Sequence, residues 1–145
     1  MRITAVLTIL LLVGCGGSND ESSPQADNNH GYGYEYDVAG ATGLRLRYTP
    51  TLKAGDYYAD IAFYESEFER VQDCTGISAQ APFVIVVKPE QLPAHFGYYY
   101  SDPSLIVIHD IVALVAFRHE AIHYLLDVST GDLDPEHLSP LFSKC

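Results

Sequence analysis

The chain is 145 residues long and carries 8 Lys and Arg against 19 Asp and Glu, a formal net charge of −11. That length holds one domain at most. The acidic balance excludes a protein that tracks nucleic-acid phosphates, which needs clustered Lys and Arg, and serves solubility through self-repulsion.

The first element is "MRITAVLTILLLVGCGGS", in which Arg2 precedes an apolar run from about Ile3 to Val13. The run is too short to span a bilayer and reads as the apolar part of a secretory signal. It closes on Leu12-Val13-Gly14-Cys15, which resembles the lipobox of bacterial lipoproteins. The resemblance implies cleavage before Cys15 and acylation of that cysteine. It also implies an exported protein whose lipid anchor makes the membrane a partner at the cell envelope, on the outer membrane if the host has one. Residues 1–14 are then a signal peptide and 15–40 a tether, with a domain over 41–145. Loss of Arg2 leaves seven basic residues against 19 acidic, 7 − 19 = −12. With Cys15 lipidated, Cys74 and Cys145 remain, and two thiols in an oxidising compartment pair. Two free thiols are the alternative; zinc ligation by this pair lacks the close spacing of zinc cysteines.

The tether, "GGSNDESSPQADNNHGYGYEYDVAG", has almost no aliphatic residues and cannot bury enough apolar surface to fold. "LRLRYT", 44–49, alternates as a half-buried strand does. Tyr58, Ile61, Ala62, Glu65, Phe68 and Val71 fall at helical spacing, with Asp56 placed to cap the start. Glu65 and Glu69 on this helix are candidates to pair with Arg118. "PFVIVVKP" reads as a buried strand bounded by prolines. "GYYY" and "SLIVIH" flank the turn signal Ser101-Asp102-Pro103, as a hairpin does.

A helix follows from Ile111 to Val128, with Asp110 at the capping position and Gly131 as its stop. Asp134-Pro135 opens one more short helix, through about Phe142. The 111–126 stretch is apolar on nearly every face, which marks a buried helix. Yet its middle holds Arg118, His119, Glu120, His123 and Tyr124. Buried polar groups are costly without partners, and a divalent metal resolves most of the cost. His119 and His123 project from one face one turn apart and would bind zinc together. Glu120 lies about 100° round the helix, offset enough to act on a water at the metal rather than on the metal.

A catalytic zinc needs a third protein ligand. His137 is the choice, as the only later histidine and the opening of a short helix that returns toward His123. Glu136 is the runner-up, followed by Asp127, Asp132 and Asp134; any of these acids could instead orient a ligand imidazole.

The helix carrying His119-Glu120-Ala121-Ile122-His123, with a hairpin before it and a backing helix earlier, resembles the zincin metallopeptidases in minimal form. The segment "FRHEAIHYLL…TGDLDPEHLSPLFSKC" also resembles small exported bacterial lipoproteins of zincin type. The chain departs from the better-known clans: Leu126 and Ser129 stand where the metzincin extension has glycine and histidine. The E-x-x-x-D pattern of the glutamate clan is absent, and the aspartate clan's G-T-x-x-D is approached only by Thr130-Gly131-Asp132. The resemblance implies an α+β fold: a mixed sheet with a hairpin edge, a backing helix and a buried active-site helix. It implies Zn2+ as cofactor, Glu120 as the catalytic base and a peptide or protein substrate held against the edge strand Phe96 to Ser101. Tyr98, Tyr99, Tyr100, Tyr124 and His109 are candidates to stabilise the oxyanion. The alternatives are a metal-binding lipoprotein without catalysis and a metal-free interaction module.

Overall fold

The computed structural model describes residues 30–48, 60–110 and 113–145. The signal segment, Cys15, the tether up to residue 29, Thr49, Asp56, Tyr58, Ile111 and Val112 lie outside those residues. The elements are β1 (Tyr36–Ala39), β2 (Arg45–Tyr48), α1 (Ile61–Thr75), β3 (Phe83–Val87), β4 (Gly97–Ser101), β5 (Ser104–His109), α2 (Ala113–Thr130) and α3 (Leu141–Lys144). The fold is α+β, with one five-stranded mixed sheet in the order β1-β2-β3-β5-β4. β1 runs antiparallel to β2, and β4 antiparallel to β5. The central pairs β2–β3 and β3–β5 are parallel. None of the described helices is long and apolar enough to cross a membrane.

β1 corrects the boundary read from composition. It lies inside the stretch assigned to the tether, 15–40, and pairs residue for residue with β2, Tyr36 against Tyr48 and Ala39 against Arg45. Its rings and ion pairs explain why few aliphatics suffice. Tyr36 stacks on Tyr48 at 4.8 Å, and Asp37 holds both Arg45 and Arg47.

β3 and β5 are covered on both faces, as their apolar runs require. One face carries Leu46, Val84, Val86, Ile106 and Ile108 against α1 and α2. The other carries Ile85, Val87, Leu105 and Val107 against Leu92, Tyr32 and Tyr100. Fully buried Phe117 of α2 joins the first cluster at about 1.5–3 kcal/mol, the usual gain for a side chain of its size.

α1 begins at Asp60, whose carboxylate accepts the Ala62 N–H at 3.0 Å. It ends at Gly76, whose left-handed φ of 73° lets its N–H reach Gln72 O. Tyr64, Glu67, Phe68 and Val71 form its buried stripe. The acid that meets Arg118 is therefore Glu67, 4% exposed and 2.6 Å from Arg118 Nε, rather than Glu65 or Glu69. Glu65 faces the turn between β1 and β2 instead, where it accepts from the Thr42 amide and hydroxyl.

Candidate metal centre

α2 supplies the first two imidazoles because its buried face passes through them. Ala116, Glu120, Ala121 and His123 are buried, whereas Val115 at the mouth of the cleft is 74% exposed, so the helix is not covered on every side. Gly131 stops the helix at φ 76°, with its N–H on Asp127 O at 2.7 Å. The chain then turns back over α2.

The returning segment is a loop where the sequence pattern suggests a helix. α3 is confined to Leu141–Lys144. Asp134 and His137 have φ of 51° and 57°, left-handed values that no α-helix contains. Side-chain hydrogen bonds offset the local cost. The Asp134 carboxylate accepts from Leu138 N–H at 3.0 Å and Ser139 N–H at 2.6 Å, and the Asp134 carbonyl from His137 N–H. Those bonds hold the Asp134 carboxyl below its usual range, the Ser139 amide most of all. The loop so held aims His137 at α2.

Three imidazole nitrogens converge there. His137 Nε2 stands 2.9 Å from His119 Nε2 and 3.1 Å from His123 Nε2. His123 Nδ1 donates to Leu133 O at 2.6 Å, which leaves its Nε2 lone pair directed into the cluster. Burial, and then the neighbouring imidazoles, pull His119 below the usual histidine range. Burial also lowers His123, although its bond to Leu133 opposes this. Both shifts favour the neutral imidazole, the form that binds a metal. Around a zinc with bonds of about 2.0–2.1 Å, tetrahedral nitrogens stand roughly 3.3 Å apart. The observed spacing fits that requirement after small side-chain adjustments. Among the described residues, His119, His123 and His137 form the group that can hold a metal ion.

The other candidate ligands lie outside this group. Glu136 is exposed and outside the cluster. Asp127 accepts the Tyr99 hydroxyl at 2.7 Å, and Asp132 accepts the Asp134 N–H at 2.9 Å. Of the oxyanion candidates, Tyr98, Tyr99 and Tyr100 border the cleft between α2 and β4, whereas Tyr124 and His109 do not. Tyr124 donates to Gln80 O, and His109 to Leu92 O at 2.8 Å on the sheet face away from α2. Tyr98 and Tyr100 pair with Val107 and Leu105, which places them on that far face too.

A cleft of about 830 Å³ runs between α2 and the edge strand β4, and His119, Glu120, His123 and His137 border it. Glu120 fits beneath β4 because residue 97 is glycine: a Cβ there would lie 2.9 Å from Glu120 Cγ and Oε1. The Tyr99 amide hydrogen bonds to the Glu120 carboxylate. Burial nevertheless pushes that carboxyl up to about 7, against the opposing pull of the amide.

Two groups at this site escaped sequence reasoning. Phe142 of α3 lays its ring against all three imidazoles, with centroids 5.1, 4.6 and 4.7 Å from His119, His123 and His137. Leu133 contributes only a carbonyl. No sequence signal marks a backbone acceptor; for Phe142 the one hint is its place three residues before Cys145. Cys145 is joined to Cys74 at the end of α1, Cα–Cα 5.8 Å, which holds the tail in place.

No known family model, curated protein or solved structure matches this chain.

Proposed function

We propose that the domain is a zinc-dependent metallopeptidase of minimal zincin type, tethered to the cell envelope through a lipidated Cys15. The observation that carries this reading is the meeting of three Nε2 atoms at the wall of a cleft that Glu120 also borders. Three imidazoles suit zinc, and three protein ligands leave a position for substrate. When bound, the ion would supply Lewis acidity, polarising a scissile carbonyl and acidifying the attacking water.

The chain's own residues would do the rest. Leu133 O fixes the tautomer and tilt of His123. Glu120, beside the triad, takes the proton of the attacking water and passes it to the leaving amine. β4 is an edge of the sheet, and the bond from His109 N–H to Phe96 O sets its phase. Pairs alternate along an antiparallel ladder, so Gly97 and Tyr99 turn their carbonyls outward beside the cleft. An extended peptide can pair there.

A binding protein without catalysis needs the histidines but not Glu120, and this separates the two readings. The purified chain should hold close to one equivalent of zinc and cleave an unfolded protein substrate. Glu120→Gln should keep the metal and lose the cleavage. Zinc retained by a wild type that cleaves nothing would favour the binding protein; a folded chain that takes up no zinc would reject both.

A further inference from the structure

Side chains of a strand alternate between its faces, and on β4 the two faces differ in chemistry. Gly97 and Tyr99 look toward α2, where Tyr99 enters the helix-side core. Phe96, Tyr98 and Tyr100 look the other way and form a row of rings. Tyr98 and Tyr100 lie 4.7 Å apart, and Phe96 sets its edge to His109 at 6.1 Å. Phe96 is 71% exposed and Tyr98 43%. These rings border the same cleft as the histidines, so the cleft wraps round the edge strand. The chain has 19 acidic residues, yet among the described residues Glu120 is the only Asp, Glu, Lys or Arg on that lining.

We infer that β4 takes an extended peptide with bulky apolar or aromatic side chains at every second position, read by the rings of Phe96 and Tyr98. This rests on the peptide-hydrolysing role proposed above and specifies its substrate. A peptide paired with β4 alternates in step with it, so one set of its side chains falls on the ring row. Directly opposed side chains in such a ladder sit about 4.5–5.5 Å apart, close enough for aromatic and aliphatic packing. The other set turns toward α2, where Val115 stands one helical turn before His119 and offers another apolar surface. A carboxylate laid on the ring row would lose water and find no Lys or Arg in return. The row alone would also suit a sugar face, but the outward carbonyls of Gly97 and Tyr99 give an extended backbone the more complete set of partners.

The test is equilibrium binding to the full chain carrying Glu120→Gln, with zinc present so that bound peptide is not cut. The chain has no Trp, so a blocked hexapeptide alternating Thr and Trp reports its own binding by emission. Matching Thr–Leu, Thr–Glu and Thr–Lys peptides and chitohexaose then compete with it. The Thr–Leu peptide should compete at least about tenfold better than the Glu or Lys peptides, as two or three favourable cross-strand pairs allow. Tyr98→Ser and Phe96→Ser should each weaken the Thr–Trp peptide and narrow that difference; Phe96, being exposed, can be changed with little risk to folding. Equal competition by the charged peptides, no effect of either variant, or displacement by chitohexaose alone would overturn the assignment. Binding with the expected preference but no cleavage by wild type would instead remove the hydrolytic role and leave the docking surface standing. Cleavage without the preference would do the reverse.

Discussion

His137 Nε2 and His119 Nε2 stand 2.9 Å apart although 18 residues separate them in sequence. The loop after Gly131 brings them together, and Glu136, the neighbouring residue, is left outside the cluster. His137→Ala should therefore weaken zinc by two orders of magnitude or more, beyond the roughly 10–100-fold cost of losing a group that merely orients a ligand. Glu136→Ala should change affinity less than about threefold. Competition with a chromophoric chelator measures both; the reverse ranking would assign the third ligand to Glu136.

Asp134 shapes the loop that carries His137, and its charge also faces His123 and His137. Its carboxylate holds the amides of Leu138 and Ser139, so Asp134→Ala should relax the left-handed turn and cost zinc about 10-fold. Asp134→Asn, which keeps one acceptor oxygen, should recover part of the loss. Zinc titration of the pair checks this, and equal affinities for wild type and Asp134→Ala would refute it.

Phe142 reaches the imidazoles from a helix of four residues anchored by Cys145. Replacing Cys74 and Cys145 together by serine should free that helix and lower zinc affinity about 10-fold, without a thiol reductant that would itself bind metal. Phe142→Ala should give a similar fall with the disulfide intact. Full affinity in both variants would mean that the tail covers the site without shaping it.

Arg118 precedes His119 and pairs with buried Glu67. Arg118→Ala leaves that carboxylate with Arg70, itself largely exposed. The expected loss is about 3 kcal/mol, the low end for a broken buried pair because Arg118 is partly exposed. Urea unfolding measures it, and Glu69→Ala, on the solvent side of α1, should change stability by less than about 0.5 kcal/mol.

Gly97 leaves no room for a methyl group against Glu120. Gly97→Ala should displace the carboxylate while leaving the three histidines in place. If Glu120 is the proton carrier, peptide cleavage should drop by up to about 100-fold, the scale of an ångström's misplacement, with zinc content unchanged. A combined loss of zinc and activity would show instead that the substitution disturbs α2 as a whole.

Local chemistry made part of this protein legible in its sequence. His119 and His123 share a helix face because four residues make about one turn. The β-branched runs of β3 and β5 form strands, Gly131 ends α2 because its left-handed φ carries little penalty for glycine, and Cys74 pairs with Cys145, as expected if Cys15 carries lipid. What local patterns could not reach was set by contacts between distant segments. β1 is polar in composition and folds because β2 supplies a ladder, a stacking tyrosine and two arginines for Asp37. Glu67 looks like one more surface acid until α2 brings Arg118 to it. The path of His137 depends on non-glycine residues in left-handed conformations, which sequence propensity disfavours. Only the grip of Asp134 on two amides, with the tail fastened at Cys74, makes those conformations stable. The histidine pair was thus written in the period of one helix, whereas the third nitrogen was placed by a loop whose own side-chain hydrogen bonds outweigh its backbone preference, folded over α2 under a tail that the disulfide ties to α1.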